Sequence, residues 1–149
     1  MSFINFIRVN ASWLGAGFLL ALLSSFGQTF FISIFSGALR NEFDLTHAEW
    51  GATYALGTFS SAVVMVCAGG LSDQFRTRYL GVFVLLGLAL SASFMMLNTS
   101  ATLLILVIFC LRFFGQGMAT HLSAVAMSRW FSAQRVRALS IANMGYALG

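Results

Sequence analysis

The sequence contains no proline and no lysine, and charged residues make up only 8% of its 149 residues. Without proline, no helix carries a proline kink. No acid lies inside an apolar run; the four that exist are Glu42, Asp44, Glu49 and Asp73. There is also no nucleophile–base pair and no cluster with metal-ligand spacing, which argues against a membrane-embedded enzyme and implies no cofactor. Cys67 and Cys110 each stand alone within apolar sequence and read as small buried hydrophobes without redox meaning. The net charge of +4 rests on eight arginines. They are dispersed over polar segments, with one inside a helix, so they do not form a nucleic-acid surface.

What the chain has in abundance is apolar sequence. Hydrophobic residues make up 59%, against roughly 45–50% in soluble domains, whose charged share is about 25%. The fold class is therefore all-α integral membrane. The spans are expected at residues 11–36, 50–70, 79–97 and 101–127, with a fifth beginning near 138. A span needs about 20 residues. The first run, Ala11 to Ser36, could also be a signal peptide behind Arg8. Its 26 residues far exceed an h-region of roughly 7–15, so a retained helix is the expectation.

Several local signals refine this. Thr46-His47-Ala48-Glu49 reads as a capping box that starts the second helix. His47 reads as a solvated loop residue rather than a proton sensor. Gly51, Ala55, Thr58, Ala62, Met65 and Gly69 form a stripe at helical spacing, expected to let a neighbouring helix approach closely. Asn98-Thr99-Ser100 makes a tight turn and offers N-caps for the fourth helix. Arg8, Arg76, Arg78, Arg129, Arg135 and Arg137 fall on one side of the membrane and Arg40 on the other. By the positive-inside rule the N-terminus is cytoplasmic.

Between the second and third runs lies Gly69-Gly70-Leu71-Ser72-Asp73-Gln74-Phe75-Arg76-Thr77-Arg78. Asp73 is not needed for orientation, since a carboxylate contributes little to that rule. In the fourth run, Arg112 sits eleven residues in, near the bilayer midplane, where a guanidinium costs about 2.5–3.5 kcal/mol on insertion scales. It needs a partner or a water-filled cavity. Either it pairs inside the bundle to fix packing, or it lines a cavity as an anion-binding or coupling residue; the second reading is preferred. Gln116, one turn on, and Ser123 extend its face. His121 falls on the opposite face and reads as a packing histidine. In the first helix Ser24 and Gln28 share a face, and Gln28 either lines a cavity or bonds to a neighbouring helix.

The loop motif, in Gly69, Leu71, Asp73 and Arg78, resembles the loop between helices 2 and 3 of major facilitator superfamily transporters. It departs from that pattern at Gln74, Arg76 and Thr77. Arg112-Phe-Phe-Gly115-Gln116-Gly117 resembles the same family's fourth helix, and Arg129-Trp130-Phe131 with Arg135 and Arg137 its 4–5 loop. Tyr146 stands where the family's antiporters carry proline after a glycine. The resemblance runs from helix 1 to the start of helix 5. It implies an incomplete N-terminal half of a twelve-helix, two-half fold, with a missing C-terminal half as partner. It also implies transport of a small solute by alternating access, with a proton as the coupling ion in some members. Arg112, Gln116 and Gln28 become the substrate or coupling residues, and Gly69, Asp73, Arg76 and Arg78 the cytoplasmic gating loop. The charge of Arg112 favours an organic anion such as a carboxylate, and the setting is a bacterial inner or plasma membrane. The alternative is a small standalone membrane protein that oligomerises through small-residue faces without transporting.

Overall fold

The computed structural model describes residues 3–149. A short helix α1 (Phe3–Val9) leads into α2 (Ala11–Leu23), a 3-10 turn (Ser24–Gly27) and α3 (Thr29–Ile34). Then come α4 (Ser36–Glu42), α5 (His47–Ala68), the single turn α6 (Leu71–Gln74) and α7 (Thr77–Leu97). The fourth rod is α8 (Ala101–Leu111), a wide π turn (Arg112–Ala119) and α9 (Thr120–Trp130); α10 (Arg135–Leu148) follows. Four of these rods are long and apolar enough to span a bilayer: Ala11–Ile34, His47–Gln74, Thr77–Leu97 and Ala101–Trp130. Below they are helices 1 to 4.

The first run departs from the single helix its apolar length suggested. Gln28 is extended, at φ −80° and ψ 154°, and separates α2 with its 3-10 turn from α3. Ser24 and Gln28 therefore do not share a regular helical face. The capping box is present: the Glu49 amide donates to Thr46 Oγ1 at 3.3 Å and the Thr46 amide to Glu49 Oε2 at 2.8 Å. At the 98–100 turn, Ser100 holds the N-cap position without a side-chain bond. Instead Asn98 Oδ1 accepts from the Ser100 amide at 3.0 Å.

Helix 4 is the central post. At its arginine-rich end, Ala126 and Met127 join Phe6 of α1, Leu14 of α2, and Ala138 and Ala142 of α10 in one cluster. Mid-way, Met118, Ala119 and Leu122 pack with Leu20, Ala68, Leu80 and Val84. At the far end, Val107 and Leu111 meet Ile32 and Leu88. Lipid tails are as apolar as these side chains, so close packing has to supply the association. Glycines provide it. A Cβ on Gly57 would stand 2.8 Å from Ile108 Cγ2, and one on Gly87 2.6 Å from the Phe114 ring. One on Gly145 would run into the Phe18 carbonyl.

The packed face of α5 follows the expected stripe only in part: Thr58, Met65 and Gly69 are half-buried, and Met65 packs against the mid-bundle cluster. Thr53, Gly57, Ser61 and Ala68 are buried, whereas Gly51, Ala55 and Ala62 are exposed. The contact of Gly57 with Ile108 sets which face turns inward. Cys67 is likewise exposed, not buried, while Cys110 is half-buried.

Candidate functional site

The centre of the bundle is a crossing of bare backbone. Gly27 ends the 3-10 turn of helix 1, and Gly115 lies in the π turn of helix 4. A Cβ on Gly27 would collide with the Leu111 carbonyl oxygen and stand 2.7 Å from Gly115 Cα. One on Gly115 would stand 2.6 Å from Gly27 Cα. Only hydrogen at both positions permits this approach.

The approach brings Arg112 to the break. In a continuous helix the Gly27 carbonyl would accept the amide of Phe31, four residues on. The extended Gln28 takes the chain out of that register, and Arg112 Nη1 donates to Gly27 O instead, at 3.3 Å. Nη1 also donates to Thr29 Oγ1 at 2.8 Å, and Tyr54 Oη donates to the same oxygen at 3.2 Å. The guanidinium carbon lies 5.6 Å from the Tyr54 ring centroid, within cation–π range. Arg112 is 8% exposed, yet every acceptor it has found is neutral. Of five N–H donors only those on Nη1 have protein acceptors among the described residues. The remaining N–H groups of this buried guanidinium are left without a counter-charge.

A second cluster lies at the arginine-rich end. Arg129, near the end of α9, forms an ion pair with Asp73 and donates from Nη1 to the Ser72 carbonyl at 2.6 Å. Ser72 Oγ donates to Gly69 O at 2.9 Å and meets His121 Nε2 at 3.3 Å. The hydroxyl's only proton is engaged at Gly69, so His121 must be the donor in that contact. The 2–3 loop is thus held to helix 4 at two points two turns apart. A cavity of about 560 Å³ opens beside it, between Gly69, Asp73, His121, Val125, Ser128 and Leu139.

A model of the Major Facilitator Superfamily matches residues 17–149. The chain belongs to the Major Facilitator Superfamily. No curated protein and no solved structure matches it. It is a multi-pass membrane protein of a superfamily whose members are transporters.

The expected site residues of this superfamily chain divide unevenly. Arg112 and Gln28 come together at the break; Gln28 is 4% exposed and its Nε2 reaches Thr120 Oγ1 at 3.5 Å, a helix–helix contact. Gln116 does not share the buried face of Arg112. The π turn shifts residues four apart out of register, and Gln116 is exposed. Ser123, expected on the same face, donates to the Gly17 carbonyl at 2.7 Å and so fixes helix 1 to helix 4. In the loop, Gly69 and Asp73 join the second cluster, while Arg76 and Arg78 are exposed and Asp73 pairs with neither. His121 has a role beyond packing, as a tie to Ser72. Sequence reading missed Thr29, Tyr54 and Arg129 as site residues. Thr29 adjoins Gln28 and Arg129 lies in the quoted 4–5 motif, so both stood within recognised stretches; nothing local marked Tyr54.

Proposed function

We propose that this chain supplies helices 1 to 4 and part of helix 5 of the N-terminal half of a transporter that moves a small organic anion by alternating access. The carboxylate class is preferred for its match to a guanidinium edge. The observation that carries this is the buried, uncountered charge of Arg112 at a point where both neighbouring helices are irregular. Irregular backbone at membrane depth is tolerated where it is buried in protein or lines a cavity. Arg112 binds the anion, with Tyr54 and Thr29 orienting the guanidinium; Gln116 contacts substrate from the exposed side of the same turn. The N-terminus and the loop holding Asp73 face the cytoplasm, as arginine counting favours. The exposed Gly51–Ala55–Ala62 face of α5 packs against the second half of the transporter, where a standalone protein would use it for self-association.

Two measurements test this. In proteoliposomes holding the full transporter, uptake of radiolabelled small carboxylates should fall to background with Arg112→Leu, and neutral solutes of equal size should not be carried. Carboxylate uptake unaffected by Arg112→Leu refutes the assignment. Liposomes holding these 149 residues alone should show no uptake, because in this reading a second half supplies the rest of the cavity wall.

A further inference from the structure

Arg112 Nη1 spans a discontinuity. It bonds to Gly27, the last residue of the 3-10 turn, and to Thr29, the first residue of α3. Between them Gln28 interrupts the helical ladder. The outer piece of helix 1 is held by one buried side chain and a few partly exposed rings. α3 is six residues long; its one buried residue, Ile32, packs with Leu88, Val107 and Leu111, while Phe30 and Ile34 are exposed. A helix that short is not self-supporting. Its polar attachments run through Thr29 Oγ1, which accepts from Arg112 of helix 4 and from Tyr54 of helix 2.

We infer that Arg112, Thr29 and Tyr54 form a tie that holds the outer piece of helix 1 against helices 2 and 4, and that an anion arriving at Arg112 loosens it. The chemistry is competition for protons. A carboxylate on the free Nε–Nη2 edge leaves both Nη1 bonds in place, whereas one bridging the two η nitrogens displaces Thr29 or Gly27, because both protons of Nη1 are committed. A guanidinium neutralised by that carboxylate also donates more weakly to whatever acceptors it keeps. Gly27 is fixed by the glycine crossing and cannot follow, whereas Thr29 sits on the short piece and can. Binding at the centre thereby frees the outer end of helix 1 without disturbing the inner end, which Ser123, Met127 and α10 continue to hold. Thr29 is a positioning residue that acts through Arg112. The loosening step rests on the anion reading of Arg112; the tie itself does not.

The test uses the chain in proteoliposomes, with Cys67→Ser and Cys110→Ala as background and one reporter cysteine at a time. Ile32→Cys reports the outer piece and Ala21→Cys the inner one; both native side chains are 3% exposed. The rate of N-ethylmaleimide labelling is measured with and without sodium benzoate. Thr29→Val should raise labelling at position 32 about ten-fold, as for loss of a hydrogen bond to a charged donor. Tyr54→Phe, which keeps the ring and loses one donor, should raise it less, and Thr29→Ser should restore the parent rate. Position 21 should not respond. Benzoate should raise labelling at position 32 in the parent and have no added effect in Thr29→Val. Equal labelling of parent and Thr29→Val overturns the tie, and so does a rise at positions 21 and 32 together, which would mean general loosening. If benzoate leaves the parent unmoved while Thr29→Val still acts, the tie stands and the anion reading of Arg112 is refuted.

Discussion

Replacing Gly27 with alanine tests the central crossing most directly. The new methyl would meet only backbone atoms: the Leu111 carbonyl oxygen, Gly115 Cα at 2.7 Å and the Gln116 amide nitrogen at 2.9 Å. No rotamer change can clear it, so helices 1 and 4 must separate by about the deficit to ordinary contact, on the order of 1 Å. Overpacking of this kind costs about 1–3 kcal/mol. The same movement lengthens the 3.3 Å bond from Arg112 to Gly27 O past hydrogen-bond range. Losing that bond to a charged donor adds about 1.5–3 kcal/mol. The expected loss is therefore about 3 kcal/mol or more, measured as a shift in unfolding free energy by denaturant titration in mixed micelles. Gly115→Ala should cost a similar amount, because its Cβ meets Gly27 Cα and N at 2.6 and 2.8 Å. The double variant should cost clearly less than the sum, since one separation accommodates both methyls. Gly15→Ala is the control: nothing lies within 4 Å of its Cβ, so it should be neutral or stabilising by up to about 1 kcal/mol. Gly27→Ala no less stable than Gly15→Ala, or strict additivity of the pair, would refute the crossing.

Other expectations concern the ends of the rods. Asp73→Asn should change global stability by less than about 1 kcal/mol, because the pair with Arg129 is 71% and 45% exposed on its two side chains. Arg129→Ala should cost more, since it also removes the donor to the Ser72 carbonyl; hydrogen exchange of the 69–75 amides in the two variants separates these effects. Thr46→Ala should weaken the start of α5 by about 0.5–2 kcal/mol, seen as faster exchange at Glu49 with residues 60–68 unchanged. Arg112→Lys should insert and fold but lose most anion uptake, because an ammonium is a point donor that cannot serve the Thr29–Gly27 pair and a carboxylate together.

The rods and the capping box were legible because each rests on local sequence: apolar length for the first, a three-residue spacing for the second. The break in helix 1 was not: no proline marks it, and the polar stretch Ser24-Ser25-Phe26-Gly27-Gln28-Thr29 read as a polar face of a continuous helix. It is stabilised from 85 residues away by Arg112, and no window along helix 1 contains that donor. The face of Gln116 was misread for a related reason. Helical arithmetic assumes a regular turn, and the π turn at Arg112–Ala119 breaks the assumption at the residue that matters. On α5 the stripe read from spacing is only partly the packed one, because the contact of Gly57 with Ile108 sets which face turns inward. Asp73 stood out in the loop as more than an orientation charge, but the partner it pairs with is 56 residues away and was not identifiable from the loop.

The tryptophans give the molecule an optical property of its own. Trp13 and Trp130 stand edge to face, 4.7 Å between ring centroids, where helix 1 begins and helix 4 ends. The third, Trp50, starts α5 at the other end of the bundle and lies 6.1 Å from Tyr54. Intrinsic emission from this chain therefore comes from two opposite ends of the bundle, one a coupled pair and the other a lone indole one ring from the residue that touches Arg112. Unlabelled protein should report separation of Trp13 from Trp130 and rearrangement around Tyr54 as distinct spectral changes, which Trp50→Phe would sort.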